Sequence, residues 1–184
     1  MKSIVSIGGK LALICAISAT LLGFVNAATK GKIEENKKIE LERALASVTS
    51  EGKAGEETSV ADNKTVKGYY PVKNEDAAII GYVLKLNGIG YGGDMGILAN
   101  FSKEGEVKAV VLMDNQETPG LGKAAEKPEY MKKFIGSGGG SAVPVRKDQL
   151  PSSEADSISG ATITFIGVAK ALEYGSGFAK QLPK

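Results

Sequence analysis

Thr162 closes the stretch Asp156-Ser157-Ile158-Ser159-Gly160-Ala161-Thr162, in which small residues lead up to a hydroxyl. Ile163, Ile166, Ala169 and Leu172 then recur at helical spacing, which predicts a helix from Thr162 with Gly175 as its stop. The first turn of a helix holds N–H groups without intrahelical partners, at the positive end of the dipole, so an anion is favoured there. Gly160 and Ala161 leave room for a bulky phosphate to approach the backbone. The chemistry predicted is a phosphate seat with a hydroxyl inside it. The structural alternative makes Ser159 a plain N-cap.

A second stretch, Glu117-Thr118-Pro119-Gly120-Leu121-Gly122, predicts a stiff turn. Pro119 fixes its φ, while Gly120 and Gly122 allow unusual backbone angles. A third, Gly90-Tyr91-Gly92-Gly93-Asp94-Met95, sets an aromatic ring in a glycine-rich segment. On their own these read equally as a surface turn and a hairpin loop.

The pattern Asp-x-x-Ser-Gly-Ala-Thr resembles the site at which flavin transferases attach FMN to threonine through a phosphoester, in the FMN-binding domains of the Rnf and Nqr respiratory complexes. The other two stretches, and the spacing between Glu117–Gly122 and Asp156–Thr162, resemble that family as well. The resemblance implies covalent FMN on Thr162, seated by Ser159, Gly160 and Ala161. It implies that Glu117, Thr118, Gly120, Leu121 and Gly122 present backbone N–H groups and a hydroxyl to the flavin's polar edge, where donors raise its potential. Tyr91 is the candidate to lie against the ring, and Lys147 the candidate positive charge near phosphate or ring. Asp156 is then part of the transferase's recognition element. The function implied is electron relay in the G subunit of an Rnf-type ferredoxin–NAD oxidoreductase, with other membrane and peripheral subunits as partners and a flavin transferase needed for maturation. The alternatives are an Nqr-type C subunit or a stand-alone extracytoplasmic flavoprotein.

Composition agrees with a borrowed redox group. The 184 residues contain no histidine, which removes His-based general bases and the commonest zinc sets. A single Cys15 makes neither an internal disulfide nor an iron–sulfur cluster. No metal site is expected. Net charge is +2 without a basic cluster, so nucleic acid is not an expected partner. With 42% hydrophobic and 24% charged residues, the chain is of ordinary globular make-up.

The elements that must position these motifs follow in order. Leu11 to Val25 is an unbroken low-polarity run that the tail to Ala28 extends to about 18 residues, near the lower limit for a membrane-spanning helix. A cleaved signal peptide competes, with Lys2 and Lys10 as its basic region and Val25-Asn26-Ala27 as its cleavage site. The resemblance implies a retained single-pass helix in the cytoplasmic (inner) membrane, with the FMN domain outside. The lysines after the span do not favour that orientation by charge alone. Ile33, Leu41, Ala44, Leu45 and Val48 predict a short amphipathic helix, and 51–65 a linker. From Val66 onward, short β-rich runs are broken at Asn74-Glu75-Asp76, Asn87-Gly88 and Glu104-Gly105, predicting an antiparallel meander. Pro128 to Ile135 reads as a helix, and 136–141 as a surface loop. The fold expected is α+β: a transmembrane helix (1–28), an amphipathic helix and linker (29–65), and an FMN-binding domain of antiparallel sheet packed with helices (66–184).

Overall fold

A computed structural model describes residues 2–183, with side chains from residue 5 onward; Met1, Lys184 and the side chains of Lys2, Ser3 and Ile4 lie outside the described set. Helix α1 (Lys2–Val48) is unbroken over 47 residues, where the sequence suggests an anchor followed by a separate short helix. Gly31 is the one weak helix former where the two were expected to part, and an isolated glycine costs only about 1 kcal/mol. Among the described residues, α1 is the one helix long and apolar enough to cross a membrane. Leu13, Leu22 and Phe24 along it are exposed, as lipid-facing side chains are.

The chain divides into two units, residues 1–42 and 43–184. The second contains six strands: β1 (Lys53–Ala54), β2 (Thr58–Ser59), β3 (Val66–Lys73), β4 (Ile79–Ile89), β5 (Asp94–Ser102) and β6 (Val107–Leu112). All pair antiparallel in the order β1-β3-β4-β5-β6, with β2 on the same edge of β3 as β1. The stretch expected as a linker thus supplies two short edge strands. Helices α2 (Pro128–Met131), α3 (Ser152–Ser157) and α4 (Thr162–Ala179) follow. The helix expected over Pro128–Ile135 is α2 continued by a tighter turn, Lys132–Phe134.

Strand periodicity builds the core. Tyr82, Leu84 and Leu86 alternate along β4, with Phe101, Ala99 and Ile97 opposite them on β5, and all six are buried. α4 covers this face with Phe165, Val168 and Leu172, also buried. Each large apolar side chain so buried contributes about 1.5–3 kcal/mol. On the opposite face Asn100 is buried, and its Nδ2 donates to the Val48 carbonyl at 2.7 Å. That bond satisfies one of the carbonyls α1 leaves free at its C-terminus.

Two glycines do other work than the sequence suggests. β4 runs straight through Asn87-Gly88, which pair with Gly96 and Met95, and the chain reverses at Gly90–Gly93 instead. A Cβ on Gly88 would stand 3.0 Å from the Gly167 carbonyl of α4, so glycine there admits the helix backbone. Gly175 does not end α4 either; a Cβ there would meet Phe101 Cζ at 2.9 Å and Leu86 Cδ1 at 3.0 Å.

Candidate functional site

Thr162 is the first residue of α4, and its side chain is exposed. Ala161 occupies the cap position, where it can supply no oxygen. Among the described residues, nothing accepts a hydrogen bond from the amides of Thr162, Ile163 and Thr164. A Ser, Thr or Asp cap contributes about 1 kcal/mol, so this helix start forgoes stability and keeps its donors open. Ser159 is not the cap. Its hydroxyl accepts from Lys147 Nζ at 2.9 Å, and its amide donates to the Asp156 carbonyl at 3.1 Å. Gly160 is required twice: its φ is +83°, and a Cβ would stand 3.0 Å from Leu121 Cδ2.

A cavity of about 490 Å³ opens in front of this helix end, lined by Tyr91, Glu117, Thr118, Leu121, Gly122, Gly160, Ala161, Thr162, Ile163 and Thr164. Its apolar walls are uncovered: Tyr91 is 73% exposed, Ile163 53% and Leu121 47%. Contiguous exposed apolar surface of this kind marks a binding face. Ile163 belongs to the apolar run at helical spacing but is exposed, and the buried stripe of α4 is carried by Phe165, Val168, Ala169 and Leu172.

Glu117 joins the walls. It is buried at 3% exposure; Oε1 accepts from the Gly92 amide at 2.9 Å, and Oε2 accepts from Thr164 Oγ1 at 2.5 Å. One carboxylate therefore ties the β4–β5 turn, its own turn and α4 together. A Cβ on Gly90 or Gly122 would overlap that carboxylate. Tyr130 is buried, and its hydroxyl has no hydrogen-bond partner among the described residues. Burial, and after it the negative charge of Glu117, pushes the Tyr130 phenol above the ordinary tyrosine range.

Part of the backbone at this turn is spent on the turn itself. The amides of Leu121 and Lys123 donate to the Thr118 carbonyl at 3.1 and 3.2 Å and are used up inside the turn. Of this turn, Glu117, Thr118, Leu121 and Gly122 line the cavity. Gly120, at φ +79°, shapes the turn without lining the cavity. Lys147, Ser159 and the exposed Asp156 of α3 also stand outside the lining. Thr164 lies outside the motifs, and Gly92, within the third of them, acts through its amide on Glu117. A threonine two positions after Thr162, among apolar neighbours, was the available signal for the first.

Open helix amides, a hydroxyl and apolar walls around a cavity of this size suit a flat ring carrying a phosphate. Residues 90–175 match the FMN-binding domain family, and residues 1–48 match the RnfG N-terminal region. The solved structure of Shewanella oneidensis NqrC shares the fold, with a TM-score of 0.51 and 19% identity over 68% of this chain and 70% of that one. The molecule is thus an FMN-binding-domain protein with an N-terminal apolar helix, and the expected antiparallel α+β fold stands. Over 182 residues it is 30% identical to the G subunit of the ion-translocating oxidoreductase complex of Shewanella baltica (strain OS223), covering 90% of this chain and 84% of that relative. Over 94 residues it is 32% identical to the G subunit of the proton-translocating ferredoxin:NAD(+) oxidoreductase complex of Clostridium ljungdahlii, covering 51% of this chain and 50% of the relative. The chain belongs to the family of G subunits of ion-translocating oxidoreductase complexes.

Proposed function

We propose that Thr162 carries one FMN through a phosphoester, and that the chain relays electrons between partner subunits of a ferredoxin–NAD oxidoreductase. Those two couples are the ones the Clostridium relative's name gives. The observation that carries this reading is an exposed threonine hydroxyl on an uncapped helix start, at the rim of a largely apolar cavity. When bound, FMN supplies a ring that accepts and returns electrons. Thr162 Oγ1 gives up its proton and bonds to the phosphorus of the FMN half of FAD, while the phosphoanhydride breaks and AMP leaves. A separate Mg²⁺-using transferase performs that step, and Asp156 on the exposed α3 is part of what it recognises.

The remaining residues seat the product. The amides of Thr162 to Thr164 and the helix dipole receive the phosphate charge. Lys147, held at Ser159, adds a positive charge to the same loop. Tyr91, Leu121 and Ile163 give the ring apolar contact. α1 is a single span in the cytoplasmic membrane, with the cofactor on the extracytoplasmic side. A covalent link keeps the flavin where no free pool could replace it.

Intact mass of the full chain coexpressed with an active transferase tests the attachment. Wild type should gain one FMN and fluoresce on a denaturing gel, and Thr162→Ala should fold and do neither. Retained fluorescence in that variant would falsify the site. Co-elution with polytopic membrane subunits separates a complex subunit from a stand-alone carrier.

A further inference from the structure

We propose that Glu117 is a fixed negative charge that holds the reduction potential of the cavity's flavin low; this rests on the FMN reading above. The resemblance implies the opposite sign, because it has the Glu117–Gly122 turn offering donors. The Leu121 amide is instead consumed within the turn, and Glu117, whose carboxylate is buried, is among the residues lining the cavity.

A buried carboxylate is costly, and replacing one by an apolar group of similar shape is often neutral or stabilising. Here the surroundings are cut to keep it. Gly90 and Gly122 leave the space its oxygens occupy, while Gly92 and Thr164 each give it one hydrogen bond. Among the described residues no lysine or arginine pairs with it. The Tyr130 phenol, itself buried and unpartnered, also feels its charge. Among the residues lining the cavity, Glu117 is the one carboxylate, and none is a cation. With no cation among the lining residues, a unit charge at the cavity wall opposes further negative charge placed inside the cavity. Adding electrons to a ring in this cavity is such a placement, so Glu117 disfavours the reduced form.

Glu117 acts as a positioning residue too, since its two bonds hold the walls, and the two roles come apart in two variants. Glu117→Gln keeps the shape and removes the charge; Glu117→Asp keeps the charge and shortens the reach. The measurement is a spectroelectrochemical titration of the flavin-loaded full chain. Glu117→Gln should raise the reduced-to-oxidised ratio at fixed potential about tenfold or more, an upward shift of about 30 mV for a two-electron couple. Glu117→Asp should lower flavin content or thermal stability and leave that ratio within about threefold of wild type. An unmoved midpoint in Glu117→Gln, or an equal rise in both variants, overturns the proposal. A wild-type chain that never takes up flavin overturns the FMN reading instead. Should Glu117→Gln fail to fold, reduced-minus-oxidised infrared spectra of wild type labelled with ¹³C-glutamate serve in its place. A label-sensitive carboxylate band that moves on reduction supports the charge, and a flat carboxylate region rejects it.

Discussion

The two ends of α4 are built on opposite terms. At its C-terminal end, Ser176 Oγ donates to the Gly105 carbonyl at 2.6 Å and accepts from the Gly139 amide at 3.3 Å. Lys180 Nζ donates to the Gly139 carbonyl at 2.9 Å, and the Tyr82 hydroxyl donates to the Pro183 carbonyl. Gly105 and Gly138, at φ +83° and +81°, let these loops approach more closely than side chains would permit. At the N-terminal end three amides are unspent, the cap is an alanine, and apolar side chains stand in the open. Saturated polar groups identify scaffold, because buried donors and acceptors must be paired. Unspent ones next to uncovered apolar surface identify where the fold gives up stability for binding.

The largest effect expected of this contrast is at Gly138. Gly138→Ala forces a side chain into the left-handed region and against the Gly105 carbonyl, costing about 2–5 kcal/mol from the two penalties together. A urea midpoint that hardly moves would mean the loop yields and is not scaffold. Ser176→Ala comes next, at about 0.5–1.5 kcal/mol, since it removes a buried hydrogen bond while the Gly105 carbonyl keeps the Gly139 amide. Thr162→Ala should stay within about 0.5 kcal/mol in the same melt, being exposed and without a hydrogen bond that the fold needs. If the two ends cost the same, the contrast is gone. Lys147→Met should likewise leave stability unchanged but slow FMN loading by the transferase, read as gel fluorescence against time.

A modest effect concerns Glu57, whose carboxylate holds the Lys85 ammonium at 2.7 Å and accepts from the Tyr70 hydroxyl at 2.6 Å. Burial works to raise its pKa, yet the bonds from Lys85 and Tyr70 and the Lys85 charge together bring it below the ordinary 4.5. A depressed carboxylate stabilises the fold above 4.5, and that contribution disappears as pH falls through the lower folded value. The stability gap between wild type and Glu57→Gln should therefore close on acidification below 4.5, from under about 1 kcal/mol given partial solvent screening. A gap that widens in acid would contradict the assignment.

What the sequence made legible was local. The helix start at Thr162, the turn at Glu117–Gly122 and the β-rich runs all follow from propensity and spacing over a few residues. The meanings of Gly88, Gly175 and Gly138 were hidden, because each is glycine on account of a neighbour distant in sequence. Gly88 answers to Gly167, Gly175 to Phe101 and Leu86, and Gly138 to Gly105 and Ser176. The expected surface loop at 136–141 instead bridges to Glu106 through Gly138. Thr164 was overlooked for the same reason, since its hydroxyl matters only through Glu117, 47 positions away. The candidate residues were named from motifs; that eight of them share one cavity needed coordinates.

The backbone contact of Gly88 with Gly167 has a mechanical consequence. A helix resting on a strand through side chains can slip or roll by exchanging rotamers. One resting carbonyl against α-carbon has no such bearing, and α4 is locked in height and rotation over β4. Any large movement of the Thr162 hydroxyl must then be made by α4 and β4 together.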